Sequence, residues 1–281
     1  MIERLTGHIV LCAVLVLLLL SVGTACGAAD RAGWTLVWSD EFNGPNGTPP
    51  DSTKWRYEIG GGGWGNDELE YYTDRIENSF QENGNLVIRA LKENYKGRHY
   101  TSARLLTRET FAQAYGRFEA RIKIPTGKGL WPAFWMLGSD FDKKEDNWPD
   151  CGEIDIMENI GSEPSAIHGS MHGPGYYDDK AITGSFSFAD YRKFSADYHV
   201  FAVEWDKDKV RFFVDQNNYE TITKQEVLSY GKWVFDKPFF ILLNVAVGGE
   251  WPGKPGQATV FPQSMLVDYV RVYKKQERPE E

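Results

Sequence analysis

The chain has 281 residues with 31 Lys+Arg against 40 Asp+Glu, a net charge of -9, and no basic run. That balance disfavours nucleic acid, whose backbone needs clustered positive charge, and on the same electrostatic ground disfavours heavily sulfated glycans. Aromatic residues make up 14% of the chain, with 10 Trp, enough to build a core and leave rings over for other work.

Ile9 to Leu20 is almost wholly apolar, with Arg4 before it and the small residues Ser21, Gly23, Thr24 and Ala25 after it. This is the pattern of a secretory signal, too short to span a membrane comfortably. Residues 1–28 are therefore read as a signal peptide and 29–281 as one domain of an exported protein, secreted, periplasmic or held at the cell surface. Cys26 follows Gly23-Thr24-Ala25 in the manner of a lipoprotein processing site, although Gly23 stands where a bulky aliphatic residue is usual. A lipid anchor at Cys26 is one expectation. With Cys12 in the apolar stretch, Cys151 is alone in the domain, so an intradomain disulfide is excluded and Cys151 reads as a small packed residue.

After the leader, short apolar or alternating runs are broken by Gly, Pro, Asn and Asp. Leu86–Ala90, Phe118–Ile124, Phe201–Trp205, Val210–Val214 and Met265–Tyr273 are rich in β-branched and aromatic residues and predict strands. Asp215-Gln216-Asn217-Asn218 predicts a hairpin turn, Lys224–Gly231 one short helix, and the charged end from Lys274 a frayed tail. No linker and no internal repeat appears, which points to a single all-β sandwich.

The run Glu153-Ile154-Asp155-Ile156-Met157-Glu158 places three acids in an apolar strand-like segment. By alternation Glu153 and Asp155 share a face while Glu158 falls on the other, where a partnerless buried acid costs several kcal/mol. A β-bulge near Met157 resolves the conflict by returning Glu158 to the face of the other two. Two carboxyls about 5 Å apart are the equipment of a retaining glycosidase. The plain alternative is a solvated acidic strand face.

Trp131, Ala133 and Trp135 alternate onto one face, as sugar platforms or as core; Trp251, among loop formers, suits an exposed platform. His168 and His172 share a face without a third metal ligand in sequence, and so read as polar lining. Arg117 and Glu119 share a strand face, as cleft residues or as a surface ion pair. Asn66 lies in a Gly-rich loop, as a hydroxyl contact or an ordinary turn residue.

The segment from Trp148 to Asn159 resembles the signature of glycoside hydrolase family 16, in the longer form with the inserted Met that matches laminarinases, agarases and carrageenases. Gly63–Tyr72, Tyr115–Arg121, Trp131–Leu137 and Leu243–Gly249 resemble the bacterial laminarinase branch, and the likeness runs from about Trp38 to Tyr273. The resemblance implies a jelly-roll β-sandwich with a concave substrate cleft. It implies a monomeric retaining endo-β-1,3-glucanase acting on β-glucan, with no cofactor for catalysis. Glu153 would be nucleophile, Glu158 acid/base and Asp155 their tuner. Asn66, Arg117, Trp131, Trp135, His172 and Trp251 would contact substrate. A structural calcium at Glu41, Gly84 and Asp268 is implied by the resemblance alone. Another hydrolase or transglycosylase of the family remains the alternative (agarase, carrageenase, mixed-linkage glucanase), and behind it a non-catalytic β-1,3-glucan-binding protein, a class that lacks the acid pair.

Overall fold

Residues 31–142 and 147–276 are described by the structure, a computed structural model. The leader 1–28, with Cys12 and Cys26, and the chain beyond 276 lie outside the described residues. Strands follow in chain order as β1 (Trp34–Asp40), β2 (Arg56–Tyr57), β3 (Glu70–Tyr72), β4 (Ser79–Glu82), β5 (Asn85–Tyr95), β6 (Arg98–Ser102), β7 (Arg104–Leu106), β8 (Gly116–Lys123) and β9 (Leu130–Gly138). They continue as β10 (Glu153–Glu158), β11 (Ile167–His172), β12 (Ile182–Phe186), β13 (His199–Trp205), β14 (Lys209–Val214), β15 (Asn217–Thr223), β16 (Phe239–Val247) and β17 (Gln263–Lys275). Among the described residues the single α-helix, α1 (Lys224–Val227), is one turn, capped where Thr223 Oγ1 accepts from Glu226 N at 3.2 Å.

Two sheets result. One runs β15-β14-β13-β8-β17-β5-β6-β3, with β1 on β17 and β4 on β5; the other runs β12-β11-β10-β9-β16-β7-β2. Their inner faces meet in one apolar core. Phe118, Ala120 and Ile122 of β8 and Phe201, Val203 and Trp205 of β13 supply one side of it, and Phe134, Ile154, Ile241 and Leu243 the other. In β17 the inward residues are Met265, Val267, Val270 and Val272, a break in alternation explained by a register shift between Val267 and Tyr269. Strand β16 is buried along its whole length, because its outer face carries a second small cluster of Leu106, Leu137, Cys151, Phe240 and Leu242.

Every strand expected from sequence forms, and two expectations need correction. The hairpin turn is confined to Asp215-Gln216, with Asn217 and Asn218 already in β15. Lys274 and Lys275 are not frayed: they extend β17 and pair with Thr35 and Trp34 of β1, which supplies the main-chain partners a free tail would lack.

Candidate active site

Strand β10 lies between β9 and β11, and its bulge falls where the acid pattern requires one. Along β9 the partners run Glu153–Leu137, Ile154–Met136, Asp155–Trp135 and then Met157–Phe134 and Glu158–Ala133, so Ile156 is the extra residue. Along β11, Asp155 faces Ser170 and Glu158 faces His168, leaving Ile156 and Met157 against Gly169 alone. Ile154, Ile156 and Met157 are fully buried in the core, and Glu153, Asp155 and Glu158 all line a groove on the outer face. Gly169 has a steric reason to be glycine, since a Cβ there would lie 2.6 Å from Phe212 Cδ1.

The groove has a volume of about 1320 Å³. Its floor is read from the register as rows across the sheet. One is His172–Glu153–Leu137, the next Ser170–Asp155–Trp135–Leu242, the next His168–Glu158–Ala133–Asn244–Arg104.

Indole N–H groups hold the two outer acids: Trp148 Nε1 donates to Glu153 Oε2 and Trp131 Nε1 to Glu158 Oε1, both at 2.8 Å. His172 Nε2 sits 3.0 Å from Asp155 Oδ2. Burial, and then the neighbouring Asp155, push the Glu153 carboxyl up to about 8. Burial pushes Asp155 up to about 7. Burial and the Asp155 charge raise Glu158 well above the ordinary carboxylate range, against the Trp131 bond, which favours its ionised form. Asp155 is only 2% exposed, whereas Glu153 and Glu158 keep an edge open to the groove. Water there softens the desolvation of the outer pair, and a sugar that displaces it restores the full effect.

Aromatic side chains form the walls. Trp251, 41% exposed, lies perpendicular to Trp131 with ring centroids 5.5 Å apart, and His168 makes a second T-shaped contact with it at 5.1 Å. Arg104 lies between Trp64 and Trp135, its guanidinium 4.8 and 4.7 Å from their centroids and paired with Glu58 at 2.6 Å. Trp135 Nε1 donates to Asn244 Oδ1 at 2.7 Å; Asn244 Nδ2 donates to Tyr72 Oη, which donates to Glu68 Oε2 at 2.9 Å. The Gly-rich loop bearing Asn66 leads into the buried Glu70, which fastens it to β16 where its Oε2 accepts from Val247 N at 2.6 Å. Burial and the adjacent Glu68 hold Glu70 well above the usual carboxylate range.

The groove brings together Glu153, Asp155, Glu158, Asn66, Trp131, Trp135, His172 and Trp251. It does not include Arg117, which is corrected. Arg117 is on β8 of the opposite sheet, 1% exposed, with Nε 2.7 Å from Glu119 Oε2 and Nη1 3.2 Å from Glu204 Oε1. Alternation pairs Arg117 with Glu119 correctly, but cannot say to which sheet their strand belongs. Cys151 is fully buried, and burial together with Glu153 pushes its thiol up to about 12, as befits an inert packed residue.

Trp148, Arg104, Asn244 and Glu68 are groove or support residues that sequence reasoning missed. Trp148, Glu68 and Asn244 lie in segments that carried the resemblance, though only Trp148 stands near the acids in sequence; Asn244 and Arg104 reach them through strand pairing.

Glu41, Gly84 and Asp268 come to one corner of the sandwich, since Asp40 pairs with Val270 and Leu86 with Val267. Arg271 grips the Glu41 carboxylate at 2.7 and 3.0 Å, and Arg121 takes Asp268 Oδ2 at 2.7 Å. Both carboxylates at this corner are thus engaged by arginines; the other oxygens these residues carry, Asp268 Oδ1 and main-chain carbonyls, are of the type a hard cation takes. Gly84 has a separate reason to be glycine: Asn83 and Gly84, at φ 51° and 74°, form the tight turn between β4 and β5.

Comparison with known proteins agrees with this architecture. The family model for glycosyl hydrolases family 16 matches residues 64–271. A beta-glucanase of Rhodothermus marinus is 45% identical over 271 residues, covering 91% of this chain and 93% of its own length. A glucan endo-1,3-beta-glucosidase of Cryptopygus antarcticus is 40% identical over 262 residues, covering 88% and 94%. Among solved structures, the laminarinase catalytic domain of Thermotoga maritima is similar with a TM-score of 0.81 at 48% identity, over 87% of this chain and 99% of that one.

Proposed function

Because the chain belongs to glycosyl hydrolase family 16, we propose that it is a retaining endo-β-1,3-glucanase whose reaction is carried by Glu153 and Glu158. The observation that carries this reading is the bulge in β10, which puts three acids in one row of an aromatic-walled groove. The Glu153 carboxylate attacks the anomeric carbon, the C1–O bond breaks, and the departing oxygen takes the proton of Glu158. Water then gives a proton to Glu158 and attacks C1, and the bond to Glu153 breaks. Three neighbouring carboxyls cannot all ionise freely, so the cluster retains a proton near neutral pH. Trp148 and Trp131 orient the two reacting carboxyls, and Asp155 with His172 sets their charge. Trp131, Trp135 and Trp251 offer ring faces to pyranose rings, with Asn66 and Arg104 for hydroxyls.

Three finer points belong to the same reading. The protein is exported through its 1–28 leader, with Cys26 a candidate for lipid attachment; it works as a monomer; and it holds a structural calcium at Glu41, Gly84 and Asp268, a reading supported by the oxygen type of the donors these residues offer. Calcium there would tie β1, the β4–β5 turn and β17 together, and takes no part in the chemistry.

A timed product profile on laminarin, lichenan and agar tests the main proposal. Mixed-length laminarin oligosaccharides released early, with β configuration kept at the new reducing end, are expected. Cleavage confined to lichenan or agar would overturn it.

A further inference from the structure

We infer that Glu153, Asp155 and His172 form a binding site for a zinc-type divalent cation, and that occupancy blocks glucan. One ligand atom from each of the three lies within 4.8 Å of the other two. The Asp155 and His172 atoms are already 3.0 Å apart. Two ligands on one tetrahedral zinc, with bonds of about 2.0–2.1 Å, stand about 3.3 Å from each other, so this pair needs almost no movement and Glu153 a small side-chain rotation.

A second observation points to a missing partner. Asp155 is 2% exposed, yet its buried Oδ2 has no hydrogen bond of usable geometry and only the 3.0 Å approach of His172 Nε2 beside it. Buried polar atoms are normally satisfied, and a metal ion is one of the groups that satisfies them. Two carboxylates and one imidazole, with the groove open to a water as fourth ligand, suit zinc or its neighbours better than magnesium, which favours an all-oxygen shell. Trp148, bonded to Glu153, steadies that ligand from outside the set.

Only the inhibitory effect rests on the proposed glucanase reading, since an ion held by Glu153 withdraws the carboxylate that would attack C1. The site itself rests on geometry. Zinc chloride is therefore titrated calorimetrically into metal-stripped protein kept in calcium, with magnesium as the hard-cation control. The same titration is run on His172→Gln, on His168→Asn and in the presence of saturating β-1,3-gluco-oligosaccharide. One zinc site is expected, about tenfold or more weaker in His172→Gln, unchanged in His168→Asn, and displaced by the oligosaccharide. No zinc binding, equal binding in His172→Gln, or indifference to the oligosaccharide would each overturn the inference. If His172→Gln fails to fold, the competition on the unsubstituted protein decides. Laminarin hydrolysis without zinc is scored separately, so failure of the metal site and failure of the glucanase reading give different results.

Discussion

Glu153, Asp155 and Glu158 face a contradiction that only their surroundings resolve, because the reaction needs one outer carboxyl charged and the other protonated. Replacing either Glu153 or Glu158 by Gln keeps the shape and removes the chemistry, so turnover on laminarin should fall by orders of magnitude with the fold intact by circular dichroism. The same variants should be more stable at alkaline pH. Glu153 and Asp155, raised to about 8 and about 7, bind more protons in the folded than in the unfolded chain above the ordinary carboxylate range. Stability is therefore fully present at low pH and is lost as pH rises through the folded values. Calorimetry should find the Glu153→Gln midpoint near that of the parent at pH 4 and above it at pH 8, by about 2–4 °C for each kcal/mol relieved. Trp131→Phe tests the link between wall and acid. Without the indole donor Glu158 holds its proton more tightly, so the alkaline limb of kcat/KM should move to higher pH as activity falls.

At the scale of the element, β10 and its neighbours show what a sequence can and cannot disclose. The three-acid run required a bulge on energetic grounds, and the register supplies it at Ile156–Met157. Strand periodicity located β5, β8, β13, β14 and β17 because each buries one face against a single core. Arg117 was beyond reach, as an alternating strand looks the same in either sheet; its β8 joins the sheet without the groove, and a buried ion-pair ladder there absorbs its charge. Arg104 and Asn244 were hidden for a related reason, since they meet the acids only through the pairing of β16 with β7 and β9. Gly169 offers a direct test of the bulge's surroundings. Gly169→Ala forces a methyl onto Phe212 and Tyr219, and should cost about 1–3 kcal/mol by denaturant midpoint.

The whole molecule divides its labour between two sheets, one carrying the groove and the other an outward ladder in which Glu204 joins Arg117 to Arg211. Neither relies on covalent cross-links. Cys151 is the one cysteine among the described residues, fully buried with a thiol pushed up to about 12. Adding a reductant should leave the unfolding midpoint unchanged, and a large drop would mean that Cys26 survives in the folded protein and is bridged.

Because a strand has only two sides, the bulge makes β10 a matter of parity. Deleting Met157 leaves Glu153, Asp155 and Glu158 an even number of steps apart, and the ladder then closes without a gap: Ile156 takes the place opposite Phe134 and Gly169, while Glu158 stays opposite Ala133 and His168. Inserting one residue after Met157 instead leaves Glu158 no place opposite Ala133: with the bulge kept it turns into the core, and with the bulge closed it returns to the groove face two places further on, opposite Trp131. The two edits are equal in size and opposite in outcome. The deletion should keep measurable hydrolysis while losing about 2–5 kcal/mol for the vacated core volume. The insertion should abolish hydrolysis, even in whatever fraction still folds, as read by activity per folded molecule.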